Sequence, residues 1–123
     1  MFGIGVDIVS IDRMEKSLQK ERFLHRVFGP QEIALFAADN KIKANSLAAN
    51  FAAKEAFSKA LGTGVRGFDF VDVQILRDEL GAPYFVFGGR AKEIVQQKNL
   101  CCKVSLSHET DKAIAFVVLE VKE

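Results

Sequence analysis

The segment from residue 41 to residue 61 constrains the fold more than any other part of the chain. It is rich in Ala and contains neither Gly nor Pro, which favours one long helix. Gly62-Thr63-Gly64 follows, and a glycine directly after a helix is typical of a C-terminal cap. A chain of 123 residues has room for one core, so we expect this helix to be central to a single domain over residues 1–123.

The two halves of this predicted helix differ in polarity. The first half places Leu47, Ala48 and Phe51 on the side where the second half is polar. At about 100° per residue, that polar side is formed by Glu55, Ser58, Lys59 and Gly62, opposite an apolar side formed by Ala53, Ala56, Phe57, Ala60 and Leu61. A solvated face with one Glu–Lys pair explains the second half alone. Because the first half is apolar all round, we expect it to be buried and the polar side to border a cleft.

The remaining patterns predict an α+β domain. Strands are predicted over 2–9, 70–76, 84–87, 103–107 and 113–121, from alternating or short apolar runs. Further helices are predicted over 12–18, 21–28, 31–38 and 91–98, from apolar residues at helical spacing. The last two strands form a hairpin around a turn at 109–111. This order of elements favours a long helix packed on a mainly antiparallel sheet.

The composition indicates where the protein works. No apolar stretch approaches the roughly 18 residues of a membrane span, and residues 2–9 lack the basic flank of a signal peptide. Cys101 and Cys102 are adjacent, a spacing that rarely forms a disulfide and fits no zinc pattern. We therefore expect a cytoplasmic protein with reduced cysteines and no membrane contact.

Asp7 is unusual because it interrupts the apolar run at residues 2–9. A carboxylate is costly to bury unless it is paired or binds a cation. Asp7 either caps backbone N–H groups or is an oxygen ligand for a hard cation, and the residues alone leave both open. The nearby Gly3 and Gly5 allow a backbone or a ligand to approach closely. Two roles are also open for His108, at the end of a predicted strand: it is either a simple surface residue or part of a functional site.

Charge is distributed unevenly along the chain. The net charge is +1, so we expect no nucleic-acid partner, yet residues 13–66 hold ten Lys and Arg against five Asp and Glu. Such a basic region in a near-neutral protein fits an anionic ligand or an acidic partner surface. Half of these cations lie within fourteen residues, on or between the first two predicted helices, namely Arg13, Lys16, Lys20, Arg22 and Arg26.

Three segments taken in chain order carry a family resemblance: GIGVDIV at 3–9, FAAKEAFSKALGTG at 51–64 and VSLSHE at 104–109. They resemble the small phosphopantetheinyl transferases of the holo-[acyl-carrier-protein] synthase family, over nearly the whole chain. The resemblance implies transfer of the 4′-phosphopantetheine group of coenzyme A to a serine of apo acyl carrier protein, for fatty acid biosynthesis. It also implies Mg²⁺ as a cofactor and a homotrimer with active sites at the subunit interfaces.

The resemblance also implies roles for individual residues. Asp7 and Glu55 match the metal ligands, and Lys59 completes the expected catalytic group. Lys59 and His108 match positions near the phosphates of coenzyme A. The positions that line its nucleotide are matched by Ser58, Gly62 and Pro83. The base that deprotonates the serine is either Glu55 or a water bound to the metal, and the sequence does not choose between them.

The partner surfaces are implied in the same way. Arg13 matches a family position that meets the acidic helix of the carrier protein, and Arg22 belongs to the same basic group. The expected trimer would bury Leu47, Ala48 and Phe51, for which the sequence suggests no partner within a single chain.

Two positions depart from the family pattern. Asn50 stands where many members carry Arg, so a contact to a coenzyme phosphate is missing or is supplied elsewhere. Glu109 stands where family members frequently have a residue with a hydroxyl group, and we expect its side chain to turn away from the phosphates.

A non-catalytic module that binds coenzyme A or a nucleotide is the alternative function, and a purely structural interaction domain is a third. Dependence on magnesium separates the enzyme from both.

Overall fold

The predicted long helix is present as α4, Asn40–Leu61, in a computed structural model that describes residues 2–35, 40–64 and 67–123. Gly62 follows it with a φ of +81°, a left-handed conformation that glycine adopts without strain. The N–H of Gly62 donates to the Lys59 carbonyl at 3.0 Å. The predicted helix and its glycine cap are therefore confirmed.

The other regular elements alternate in type much as the sequence predicts. They are β1 Gly3–Ser10, α1 Ile11–Leu18, α2 Glu21–Val27, α3 Pro30–Leu35, β2 Val73–Arg77, β3 Pro83–Phe87, α5 Gly89–Gln97, β4 Leu100–His108 and β5 Lys112–Val121. The predicted helix at 31–38 extends past the end of α3 into residues 36–38, which lie outside the described part of the chain. None of the described helices could cross a lipid bilayer, because each is too short or too polar.

Two strands begin three residues away from their predicted first residue. Phe70–Asp72 is a single 3₁₀ turn, closed by the Asp72 N–H donating to the Asp69 carbonyl at 3.0 Å. The strand predicted over 70–76 therefore begins only at Val73. In contrast, β4 begins earlier than predicted and includes Cys101 and Cys102, which are both free and half-buried.

An antiparallel sheet with strand order β1-β5-β4 supports the long helix, while β2 and β3 form a separate antiparallel pair. The sheet and α4 touch through their backbones at two glycines. A Cβ atom at Gly5 would lie 1.9 Å from the Ala56 carbonyl oxygen, and one at Gly3 would lie 2.0 Å from the Ala60 carbonyl oxygen. Glycine at these positions allows β1 to lie directly against α4. The α+β architecture is confirmed.

The first half of α4 is buried within the chain itself. Leu47 and Ala48 are 0% exposed in a hydrophobic cluster that includes residues of α1 and α2. Phe51 is half-buried, and its ring centroid lies 6.3 Å from that of Phe23 and 6.0 Å from that of Phe70. The expectation that these residues need a neighbouring subunit to cover them is wrong, because the helices after β1 already do so.

A different surface is left uncovered. The outer face of the sheet exposes large apolar side chains from β1 and β5, with Ile8 as the most exposed of them at 62%. Val6 pairs with Phe116 and Ile8 pairs with Ile114, so these four side chains are neighbours on one face. We call this face the apolar sheet face; it consists of Ile4, Val6, Ile8, Ile114 and Phe116. Exposed apolar patches of this kind mark interaction surfaces.

Candidate active site

Two carboxylates from different elements line one cavity. Asp7 comes from β1 and Glu55 from α4, the two elements that touch at Gly5. The cavity has a volume of about 430 Å³, and Arg13 and Phe51 also line it. The Asp7 side chain is 19% exposed, so it is partly withdrawn from solvent. The structure thus brings together the two acids that the sequence singles out for different reasons.

The electrostatics of Glu55 reflect this arrangement. Burial raises the pKa of the Glu55 carboxyl, and the negative charge of Asp7 raises it further, while Lys59 acts in the opposite direction. Two carboxylates that disfavour each other's charge create a site that favours a proton or a cation. The cavity between β1 and α4 therefore suits a positively charged ligand.

Lys59 supplies one positive charge to this site. Its Nζ donates to Asp7 Oδ1 at 3.1 Å and to the Val6 carbonyl at 2.9 Å, so it crosses from α4 to β1. The Lys59 side chain remains 55% exposed. The simple surface pair between Glu55 and Lys59, considered from the sequence, is replaced by an ion pair that joins two elements.

Arg13 lies at the edge of the same cavity because α1 follows β1 directly. The Arg13 N–H donates to Ser10 Oγ at 3.3 Å, which caps the helix. Ile11 and Met14 point into the core, and this leaves Arg13 exposed. Arg22 is exposed on α2 and does not line the cavity.

Ser58 shares the polar side of α4 with Glu55 and Lys59 by helical periodicity, but other elements cover it. It is only 2% exposed, and its Oγ donates to the Lys54 carbonyl at 3.1 Å. Ser58 is therefore buried, whereas Lys59 on the same side of the helix remains exposed. Its proposed contact with the nucleotide stays a prediction, as does that of Gly62, which is exposed at the end of the helix.

Pro83 and His108 line a second cavity, with a volume of about 230 Å³. Pro83 begins β3 and His108 ends β4, so strand ends form one wall. Neither of these residues lines the cavity of Asp7 and Glu55. Glu109 is exposed and does not line this second cavity, in agreement with the expectation that it turns away. The predicted site residues thus divide into two groups within one chain.

Comparisons with known proteins identify the family. The family model of the 4′-phosphopantetheinyl transferase superfamily matches residues 3–117. The chain belongs to this superfamily. The transferase is 44% identical over 121 residues to the holo-[acyl-carrier-protein] synthase of Clostridium acetobutylicum, with 97% of each chain covered.

Solved structures give the same result for the fold. The transferase is similar to the crystal structure of holo-[acyl-carrier-protein] synthase from Neisseria meningitidis, with a TM-score of 0.89, 39% identity and 98% of each chain covered. It is also similar to the Helicobacter pylori synthase solved in complex with coenzyme A, with a TM-score of 0.81 and 39% identity. That match covers 95% of this chain and 99% of the other. The family and fold that the three motifs predict are confirmed.

A buried polar network behind the second cavity escaped the sequence analysis. Lys54 and Glu32 are both 0% exposed and form an ion pair, with Lys54 Nζ 2.7 Å from Glu32 Oε1. Glu32 Oε2 accepts from Asn50 Nδ2 at 2.8 Å. Burial lowers the pKa of Lys54 to about 8, although Glu32 opposes this shift. Asn50 and Lys54 lie one turn apart on α4, but their partners Glu32 and Arg77 lie on α3 and β2, so no local spacing in the sequence reveals the network.

The network extends to Arg77 at the end of β2. Arg77 Nη2 donates to Asn50 Oδ1 at 2.8 Å, and Arg77 is one of the residues that line the cavity of Pro83 and His108. Asn50, noted in the sequence as a departure from the family pattern, is therefore bonded to an arginine from another element of the transferase.

The donors available to a metal ion are the carboxylates of Asp7 and Glu55. Among residues 2–35, 40–64 and 67–123, no three His, Cys, Asp or Glu side chains gather in one place. Mg²⁺ typically keeps several waters and takes one or two protein carboxylates together with substrate phosphate oxygens. The pair in the transferase, with the raised pKa of Glu55, fits such an ion and does not fit a metal held entirely by protein ligands.

Proposed function

We propose that this transferase moves the 4′-phosphopantetheine group of coenzyme A to a serine of apo acyl carrier protein, releasing adenosine 3′,5′-bisphosphate. The observation that carries the proposal is that Asp7 and Glu55 line one cavity together with Arg13, and that Lys59 is ion-paired with Asp7. The Helicobacter pylori relative was solved with coenzyme A, which supports the same donor here.

In the proposed reaction, the serine Oγ forms a bond to the phosphorus that carries pantetheine, and the bond to the bridging oxygen breaks. Asp7 and Glu55 would hold Mg²⁺, which neutralises charge on the diphosphate when it is bound. Lys59 Nζ has three protons and two acceptors in the structure, so it can donate the third to a phosphate oxygen. Its position one turn after Glu55 keeps that donor next to the metal ligands.

Glu55 is suited to accept the proton of the serine hydroxyl. Its raised pKa makes it a stronger base than an ordinary carboxylate, and it lines the cavity from the side of α4. A cation bound beside Asp7 and Glu55 would favour the charged form of Glu55 and so make it a weaker base. The pH dependence of transfer therefore shows whether the raised pKa of Glu55 or the bound cation has the larger effect.

We also propose a homotrimer assembled through the apolar sheet face. Ile8 of this face also lines the cavity of Asp7 and Glu55, so an interface there would border that cavity. The division of the predicted site into two cavities supports a site shared between subunits, with His108 and Pro83 contributed by a neighbour. Sedimentation of a fully active 13.6 kDa monomer would contradict this assembly.

The carrier protein is proposed to dock at Arg13 and Arg22 on the first two helices. Both side chains are exposed, and Arg13 reaches the edge of the cavity where the serine would enter. Basic residues at such an edge favour an acidic partner and set its orientation. The reaction would serve fatty acid biosynthesis in the cytoplasm.

The decisive experiment is to incubate the protein with coenzyme A, Mg²⁺ and apo acyl carrier protein, and to weigh the carrier by mass spectrometry. We expect the carrier to gain one phosphopantetheine, a chelator to stop the gain, and added Mg²⁺ to restore it. A carrier whose acceptor serine is replaced by alanine is the control. Binding of coenzyme A without any mass gain would favour the non-catalytic module instead.

A further inference from the structure

The cavity beside His108 is lined by a positively charged side chain to which the motifs assign no role. Arg77, the last residue of β2, lines it together with His108, Pro83 and Gly81. Of the described residues that line this cavity, two are basic and none is acidic. An arginine and a histidine around a polar cavity of about 230 Å³ favour an anionic group.

The orientation of Arg77 is fixed from behind by Asn50. Asn50 is 0% exposed, and its Nδ2 donates to Glu32 Oε2 at 2.8 Å and to the Ile75 carbonyl at 2.9 Å. These two acceptors determine which way the amide points, so its Oδ1 faces Arg77 Nη2 at 2.8 Å. Arg77 Nη1 also donates to the Leu76 carbonyl at 3.2 Å. The guanidinium is therefore held in place at the cavity wall before any ligand arrives.

We infer that Arg77 binds a phosphate group of coenzyme A, and that Asn50 is the positioning residue that holds it there. The inference rests on the proposed function and adds a recognition residue to it. A planar guanidinium matches the geometry of phosphate oxygens, and a preformed orientation lowers the entropy lost on binding. The bound group is either the 3′-phosphate or part of the diphosphate. Both present anionic phosphate oxygens to the guanidinium.

Steady-state kinetics of Arg77→Gln test the inference. We expect the KM for coenzyme A to rise about ten-fold, more than kcat falls, because a charge-assisted hydrogen bond is lost. If the KM for 3′-dephospho-coenzyme A rises as much as the KM for coenzyme A, the contact is with the diphosphate. If the KM for 3′-dephospho-coenzyme A rises less, the contact is with the 3′-phosphate. The matched control is Arg90→Gln, an exposed arginine of α5 paired with Glu93, whose KM should stay at the wild-type value. A KM within two-fold of wild type in folded Arg77→Gln overturns the inference.

The role of Asn50 is tested by a double-mutant cycle. Asn50→Ala should raise the KM for coenzyme A when Arg77 is present and should add nothing in the Arg77→Gln background. A purely structural role for Asn50 would give independent, additive effects in the two backgrounds, and that outcome would remove it as a positioning residue.

Arginine side-chain NMR on the wild-type protein avoids any loss of folding. The Nε–Hε signal of Arg77, assigned with Arg77→Lys, should shift when adenosine 3′,5′-bisphosphate is added, and that of Arg90 should not. An unshifted Arg77 signal at saturation overturns the inference. Because this measurement needs no carrier protein, it remains decisive even if transfer activity is absent and the proposed function fails.

Discussion

Replacing Lys54 with methionine removes a buried cation and keeps the length of the side chain. Lys54 Nζ donates to Glu32 Oε1 and to the carbonyls of Phe70 and Val73, so three acceptors each lose a donor at once. Glu32 keeps its hydrogen bonds from Asn50 and from the N–H groups of Gly29 and Ile75, but it becomes a buried carboxylate without its ion-pair partner. Removing one member of a buried ion pair typically costs about 3–5 kcal/mol, and we expect Lys54→Met to fall in this range.

Removing both charges should restore most of that stability. In Lys54→Met/Glu32→Gln no charge is left buried, and such replacements are often neutral to within about 2 kcal/mol. The control is Lys92→Met, because Lys92 is an exposed lysine of α5, and its replacement should change the stability by less than about 0.5 kcal/mol.

Urea unfolding followed by circular dichroism gives these free energies. The measurements need several protein concentrations, since self-association makes the apparent stability depend on concentration. For a domain of this size, Lys54→Met should lower the melting temperature by roughly 10–20 °C. A loss below about 1 kcal/mol with an unchanged denaturant slope would refute the assignment of a buried, paired charge at this position.

The same lysine predicts a pH dependence. Its pKa falls from 10.5 to about 8 on folding, so between these values the unfolded chain holds a proton that the folded chain has released. Stability should therefore rise with pH from about 8 to 10.5, by up to about 3 kcal/mol, relative to Lys54→Met. A difference between the two proteins that stays flat over this interval would contradict the lowered pKa.

Four further predictions concern the site and its surfaces. Asp7→Asn and Glu55→Gln remove charge and keep shape, so each should reduce transfer to the carrier by about a hundred-fold or more; full activity at ordinary Mg²⁺ would remove them as metal ligands. Because the pKa of Glu55 is raised, a proton competes with the metal, and the Mg²⁺ affinity measured by titration should weaken as the pH falls. Arg13→Glu should raise the KM for the carrier at low salt and leave the KM for coenzyme A unchanged, with the difference fading near about 0.5 M salt; equal carrier KM values at low salt would place the docking surface elsewhere. Ile8→Lys places a charge on the apolar sheet face and should yield monomers in sedimentation, whereas an unchanged assembly would exclude that face as the interface.

Local patterns were sufficient for most of the fold. The long helix, its cap at Gly62 and the strand that carries Asp7 each depend on residues close together in sequence. The pairing of Asp7 with Glu55 came from the family resemblance, whereas the residues themselves showed only two separate anomalies, a charged residue in an apolar strand and a polar side on an otherwise buried helix.

Features that depend on distant segments were not accessible. Periodicity gives the angular position of Ser58 and Leu47 on α4, but it does not reveal which other elements cover them. The network of Glu32, Asn50 and Arg77 joins α3, α4 and β2, three segments far apart in the chain. Each residue looks ordinary in its own segment, and only the folded arrangement shows that they act together.

The contact between Gly5 and the Ala56 carbonyl has a consequence for how this protein can evolve. Asp7 is two residues from that contact along β1, and Glu55 is adjacent to it on α4, so the separation of the two carboxylates is set by main-chain atoms. A single added methyl group at Gly5 would push strand and helix apart and widen the distance between the acids. A change at Gly5, which carries no functional group, would therefore alter the geometry of the two carboxylates.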